Sequence, residues 1–235
     1  MKISVCMATY NGERYIKEQL DSILCQISTD DELIISDDGS TDNTVKIINS
    51  YGDARIKLYH STKRNVIYNF ENALKHASGD IIFLSDQDDI WFPDKVVKSV
   101  GHLQNNGLVF SNAIMFFGTD KVNGNMFFKN SKNKTGVLSN LFKVKYLGST
   151  VAFKSAILKK ALPFPPNLPM HDVWIGLISE ITSSTYYIDE PLIYYRRHEN
   201  TVSETGSKST NSLFTKLGFR FRLIYNLFKR LYFIK

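Results

Sequence analysis

An α/β protein with a mainly parallel central sheet and helices on both faces is predicted by three observations. Short apolar runs alternate with helical spacings four times before residue 112, the pattern of repeated strand–helix units. Polar clusters follow the first, second and fourth apolar runs, where open sheets of this kind bind ligands beyond the carboxyl ends of their strands. Apolar residues make up 43% and aromatic residues 13% of 235 positions, enough to fill a core for one large domain.

The elements read in order as follows. Residues 2–8 form a strand, and Ile16, Leu20, Ile23, Leu24 and Ile27 then recur at helical spacing. Residues 32–36 are a second strand, followed by a short helix marked by Val45, Ile47 and Ile48. A third strand covers 56–60, and Ile67, Phe70, Ala73, Leu74 and Ala77 define a helix stopped by Gly79. The fourth strand covers 80–85; Pro93 opens a helix through Val96, Val97, Val100 and Leu103, and 108–111 is a strand. Regularity then fades. Residues 119–136 suit a long hairpin or loop, 147–153 a strand entered through Gly148, 163–169 a rigid irregular connection and 172–181 a helix. Two short strands follow at 186–188 and 192–195, then a polar hinge at 199–212.

The net charge is +6, and its location is informative. Seven Lys/Arg and no acids lie beyond residue 204, so residues 1–204 hold 22 basic and 23 acidic side chains. A near-neutral body with a basic tail argues against a nucleic-acid-binding face. Cys6 and Cys25 read as small buried hydrophobes without a disulfide framework, which suits a reducing cytosol. No secretory leader or spanning segment is expected, so the sequon Asn133-Lys134-Thr135 carries no weight.

The densest chemistry is Ser85-Asp86-Gln87-Asp88-Asp89, at the end of the apolar run 81–84. Carboxylates packed so closely repel unless a cation offsets them, and Mg²⁺ or Mn²⁺ is commonly held by one or two carboxylates plus substrate phosphates. Asp89 is expected to cap the next helix instead. Nucleotide fingerprints are absent: there is neither G-x-G-x-x-G after the first strand nor a P-loop. A calcium loop fails because Ile90 and Trp91 stand where an oxygen ligand and a glycine belong.

Taken together, VCMATYNGERYI, IISDDGSTDNT, GDIIFLSDQDDIWFPDK, GSTVAF, MHDVWIGL and YYRRHENTVS resemble the family 2 inverting glycosyltransferases of the GT-A fold, in their bacterial rhamnosyltransferase-like branch. The resemblance spans about residues 2–205, leaving 206–235 as a separate tail. It implies a GT-A nucleotide-diphospho-sugar transferase domain with a UDP- or dTDP-sugar donor and Mn²⁺ or Mg²⁺ as cofactor. Tyr10, between Thr9 and Asn11, would stack on the pyrimidine, and Asp38 would accept the base N3–H. Asp37 would touch the base or shape the turn with Gly39. Arg64, Asn65, Asp86 and Gln87 complete the implied nucleotide site. Asp88 would coordinate the metal, with His198 as a further ligand, and Arg196 or Arg197 would neutralise the diphosphate. Asp172 is the implied general base, with His171 where the family often has Glu. Trp91, Gly148, Ser149, His171 and Trp174 are assigned to the acceptor and sugar pocket, both tryptophans chiefly as packed walls.

In the tail, Leu213, Leu217, Phe221, Ile224, Phe228 and Leu231 share one helical stripe, with Arg222, Lys229 and Arg230 off it. A basic, aromatic-rich amphipathic helix suits the inner face of a plasma membrane and a lipid-linked saccharide acceptor. The expected activity is transfer of a hexosyl or deoxyhexosyl unit in O-antigen or capsule-type polysaccharide synthesis. The alternatives are a non-catalytic nucleotide-sugar binding protein of the same fold and a sugar nucleotidyltransferase. The first is disfavoured by intact Asp88 and Asp172, the second by Asn11-Gly12-Glu13-Arg14, a poor phosphate loop.

Overall fold

The computed structural model describes residues 1–118, 120–128, 135–142, 146–198 and 213–233. The sequon residues Asn133 and Lys134, the hinge 199–212 and the side chains of Leu213 and Leu217 lie outside the described residues.

Strands β1 (Ile3–Thr9), β2 (Glu32–Asp37), β3 (Ile56–His60) and β4 (Ile81–Asp86) alternate with helices α1 (Ile16–Leu24), α2 (Thr44–Ser50) and α3 (Val66–Lys75). Then come β5 (Ile90–Trp91), α4 (Lys95–Leu103), β6 (Leu108–Phe117), β7 (Asp120–Met126), α5 (Val137–Phe142), β8 (Val151–Lys154) and α6 (Ser155–Ala161). The chain continues through α7 (His171–Thr182), β9 (Thr185–Arg197) and α8 (Leu213–Phe233). Among the described residues the strands form one sheet in the order β3-β2-β1-β4-β8-β6-β9-β5, with β7 on β6. The β1–β2, β1–β4, β2–β3 and β6–β9 pairs are parallel, whereas β8 runs against β4 and β6.

Continuous apolar strands follow from burial on both sheet faces. In β1, Cys6 and Ala8 join a cluster with Phe70, Leu74, Phe110, Trp174 and Ile178. Val5 and Met7 point the other way, among Ile16, Leu20, Ile23, Val109 and Leu192. This period-two split makes register decisive, and it places Thr9 beside Asp37 and Ala8 beside Asp86.

Several expectations need correction. Helix α4 begins at Lys95, two residues after Pro93, because Ile90–Trp91 first pairs with β9. Asp89 does not cap it: the side chain is buried and accepts a hydrogen bond from the Arg196 amide at 3.0 Å. Residues 148–150 form a 3-10 turn before β8, so the strand starts at Val151, four residues later than expected. The two short strands at 186–195 are one long strand, with register shifts against β6 on either side of Asn112 that accommodate Pro191. Cys25 is exposed, unlike Cys6.

Helix α8 lays one face on the body. Leu223 and Leu227 enter the cluster of Phe70 and Trp174, and Arg230 donates to the carbonyls of Leu162 (2.7 Å) and Pro163. Phe221, Ile224, Tyr225, Phe228, Leu231 and Tyr232 are exposed on the opposite face. Among the described residues no helix is long and apolar enough to cross a membrane.

Candidate active site

The site gathers where β1, β2 and β4 end, neighbours in the sheet about 5 Å apart. After β1, Tyr10 is 51% exposed, which excludes core packing and leaves its ring face available to a planar base. Its backbone is fixed by Gln87, whose side-chain amide both accepts from the Tyr10 N–H and donates to the Tyr10 carbonyl, each at 3.0 Å. Gly12 permits this: a Cβ there would come within 2.3 Å of the Gln87 Oε1. Gln87 thus fixes the Tyr10 backbone from the loop after β4.

After β2, Asp37 shapes the turn. Its carboxylate accepts from Thr9 Oγ1, Ser40 Oγ and the amides of Gly39 and Ser40, with Gly39 at φ +83°. Thr9 is buried and oriented by the same carboxylate. Asp38 is held from the other side, accepting the Arg64 amide at 3.0 Å and the Asn65 amide at 2.6 Å. Arg64 adopts φ +47°, a conformation that side chains disfavour but that turns successive amides toward one anion. Two amide bonds leave lone pairs on Asp38 for another donor. The Asn65 side chain caps α3, accepting from Ile67 and Tyr68 amides, so its contribution is the helix start. Asn11, also at a positive φ of 47°, accepts from the Thr41 amide and ties the two loops together.

The acidic loop after β4 is closed by β9. Nε2 of His198 lies 2.7 Å from Oδ2 of Asp88, and both side chains keep partial exposure. Arg196 is placed elsewhere than expected. It is buried, and its guanidinium donates to the Asp88 carbonyl (2.9 Å), the Gly118 carbonyl and Glu18 Oε2 (2.5 Å), between the rings of Tyr15 and Phe116. It braces the acidic loop from beneath, with its donors occupied by protein. Arg197, next along the strand, is half-buried.

Asp172 sits in the first turn of α7, buried, with its carboxylate accepting the Val173 amide at 2.7 Å. The turn at Gly148 lies against it: a Cβ there would stand 3.6 Å from Asp172 Oδ2 and 3.3 Å from His171 Nε2. Burial pushes the Asp172 carboxyl up to about 6, and the amides of Val173 and Gly148 oppose part of that shift. His171 stacks on Phe70 at 3.9 Å, and both ring nitrogens are buried without a hydrogen-bond partner. Burial lowers its pKa to about 3, so the imidazole is neutral. Trp174 is fully buried and donates to the Ala161 carbonyl, and Trp91 is buried against Phe83; both are walls, not sugar platforms. Ser149 is also buried.

Charge couples the parts. Burial, then the neighbouring Asp88 and Asp172, raise the Asp86 carboxyl to about 7, opposed by Lys95. Asp89 is pushed well above the carboxylate range by burial and by Asp88 and Asp86. The effect of Asp172 on Asp86 places the α7 carboxylate near the strand-end acids. A cation fits this donor set. Among the described residues no cluster offers three protein metal ligands, but the Asp88–His198 pair supplies two, and ions of this kind complete their shell with phosphate oxygens and water.

Sequence reasoning missed Glu18 and Gln19, whose α1 positions looked like an exposed helix face. Gln19 donates to Ser85 Oγ at 2.8 Å and to the Asp86 carbonyl at 3.0 Å, fixing the end of β4. Lys95 was missed as well, because nothing in a sequence announces a buried lysine.

Residues 4–160 match the family model described as glycosyl transferase family 2. Over 221 residues the chain is 30% identical to the dTDP-rhamnosyl transferase RfbG of Shigella flexneri, covering 83% of this chain and 72% of that protein. It is 25% identical over 238 residues to the Escherichia coli UDP-Glc:alpha-D-GlcNAc-diphosphoundecaprenol beta-1,3-glucosyltransferase WfgD, covering 99% and 90% of the two chains. Among solved structures, S. aureus TarS 1-349 in complex with UDP-GlcNAc superposes with a TM-score of 0.72 at 22% identity, over 96% of this chain and 67% of that one. The glucosyl-3-phosphoglycerate synthase of Mycobacterium tuberculosis, in complex with Mn2+, uridine-diphosphate and phosphoglyceric acid, gives 0.58 at 22% identity, over 97% and 78%. The sheet of mixed but mostly parallel strands is that of the GT-A nucleotide-diphospho-sugar transferases. With a family model matching most of its length and a relative at 30% identity across most of both chains, the protein belongs to glycosyl transferase family 2 and is a glycosyltransferase.

Proposed function

We propose that this enzyme transfers a hexosyl or deoxyhexosyl unit, with inversion, from a UDP- or dTDP-sugar to a lipid-linked saccharide during O-antigen or capsule-type polysaccharide assembly. The observation that carries the reading is Asp172: a buried carboxylate in the first turn of α7, against the Gly148 turn, raised by burial to about 6 and close enough to help raise Asp86 at the end of β4. A base of that strength is ionised at neutral pH yet still takes a proton readily. As the acceptor oxygen bonds to the anomeric carbon, its proton passes to the Asp172 carboxylate. The bond from that carbon to the diphosphate breaks, and the nucleoside diphosphate leaves on the opposite face.

Tyr10 and Asp38 hold the base, and the Asp86 carboxylate lies beside the ribose. His171, neutral and with unpartnered nitrogens, offers hydrogen bonds to a sugar hydroxyl at the base side of the site. Asp88 and His198 would hold Mn²⁺ or Mg²⁺, which supplies charge neutralisation for the departing diphosphate. Arg197 is assigned to the diphosphate, and Gly148 and Ser149 to the sugar pocket. The relatives' printed substrates, dTDP-rhamnose and undecaprenol-linked sugar, support the donor and acceptor classes. Release of nucleoside diphosphate from a panel of UDP- and dTDP-sugars, with and without Mn²⁺, tests the proposal. Pyrophosphate release instead, or binding without turnover across a panel that includes lipid-linked acceptors, would overturn it.

The exposed aromatic face of α8, with Arg222 and Lys229 exposed beside it, suits an anionic membrane surface on the cytoplasmic side. Residues 206–235 then form a membrane-associating tail of the domain at 1–205. Co-sedimentation with anionic but not neutral vesicles, lost when residues 213–235 are deleted, is expected. Binding that survives the deletion would refute the role.

A further inference from the structure

Lys95 has one of the largest fully buried side chains in the protein, at 1% exposure. It lies at the first position of α4 and reaches inward. Its Nζ donates to the Ser149 carbonyl at 2.5 Å and sits 4.5 Å from the centre of the Trp91 ring. Asp86 and Asp89 act on it electrostatically from the acidic loop. Burial lowers the Lys95 pKa to about 7 against the pull of Asp89 and Asp86, and the amine joins two segments 54 positions apart. On one side is the loop bearing Asp88; on the other is the 3-10 turn whose Gly148 lies against Asp172 and His171.

Around this amine, Trp91 Nε1 is buried without a hydrogen-bond partner, and Asp89 Oδ2 and Ser149 Oγ lie close to each other without forming a well-aligned hydrogen bond. The segment is therefore poorly satisfied as a purely structural core, the condition expected where stability has been ceded to a functional geometry.

We propose that Lys95 is a positioning residue that pins the Gly148–Thr150 turn against Asp172 and so sets the base relative to the acidic end of the donor site. The inference rests on the proposed assignment of Asp172 as the base. Lys95 touches neither donor nor acceptor; it acts through the Ser149 carbonyl and the turn. Misplacing a reacting group by about 1 Å costs up to about 100-fold in rate while leaving ground-state binding nearly untouched.

The test is Lys95→Met in the full-length chain, which keeps the volume and removes the donor and charge. Expected are a 10- to 100-fold lower kcat, a donor KM within threefold of wild type, unchanged UDP or dTDP binding by calorimetry with Mn²⁺, and a thermal midpoint that does not fall. A merely structural lysine would lower the midpoint and leave the kcat of the folded fraction intact; that result, or a wild-type kcat, overturns the proposal. Gly148→Ala covers the case in which Lys95→Met does not fold. Its added methyl presses the same turn from the base side, and the same split is expected, kcat reduced with nucleotide binding kept; a wild-type kcat there also overturns the idea. An active Lys95→Met beside an inactive Asp172→Asn removes only the positioning role, whereas activity in both removes the base assignment.

Discussion

Nε2 of His198 stands 2.7 Å from Oδ2 of Asp88, joining the end of β9 to the loop after β4 across 110 positions of sequence. In the metal-free pair the imidazole donates to the carboxylate. A divalent cation would take the Asp88 carboxylate and the His198 Nε2 as ligands, with the ring proton then on Nδ1. Asp88→Ala is expected to abolish turnover, and His198→Ala to raise the Mn²⁺ concentration giving half-maximal rate by about 10-fold or more, on the scale of a lost ligand interaction. Nucleoside diphosphate release against Mn²⁺ concentration checks both.

Asp172→Asn should lower kcat by about 10²–10⁴-fold with nucleotide binding preserved. In the wild type, kcat should rise with pH through about 6, where the Asp172 carboxyl ionises. The stability effect has the opposite sign. A carboxyl raised in the folded state contributes stability at low pH and loses it as pH climbs through about 6. At pH 7 Asp172→Asn should therefore melt no lower than wild type, and any advantage should vanish below about pH 4. Paired melting curves at pH 4 and pH 7 measure this.

Glu32 gives the reverse case, remote from the chemistry. Its buried carboxylate accepts from Ser4 Oγ, Ser78 N–H and Oγ, and Lys57 Nζ, and these bonds outweigh burial to hold its pKa at about 2. A depressed pKa contributes stability above the unfolded value of 4.5 that is lost as pH falls toward 2. Glu32→Gln should cost roughly 2–3 kcal/mol at pH 7, less with each unit below pH 4, and leave kcat near wild type. Denaturant midpoints across pH, with activity on the same samples, decide it.

Tyr10→Ala should raise donor KM about 10-fold or more with little change in kcat, since an aromatic stack on a base is worth about 1–3 kcal/mol. Tyr10→Phe keeps the ring and should behave like wild type. Inhibition constants for UDP and dTDP give the same comparison without turnover.

The convergence at one sheet edge was legible because the first, second and fourth strands each end in a distinctive polar cluster, and period-two packing fixes which residues emerge together. That the clusters holding Tyr10, Asp37, Asp38 and the acidic run meet was read this way, and β2, β1 and β4 are neighbours in the sheet. What stayed hidden depends on long-range closure. Nothing local marks Ile90–Trp91 as a strand, because its partner is Ile193–Tyr194 a hundred residues on. The family resemblance offered Arg196 as a phosphate ligand; only Glu18 and Asp88, reached through folding, show it to be a buried brace. Lys95 and Gln19 escaped for the same reason.

The unbroken run of β9 gives the site a particular inheritance. Helix α7 with the buried Asp172 feeds directly into this strand, and the strand delivers the imidazole back to the acidic loop. Residues 171–198 thus travel as one cassette, lying wholly beyond the portion matched at 4–160. Exchange of this cassette between relatives would transplant Asp172 and the His198 imidazole together, whereas a crossover inside it would separate them.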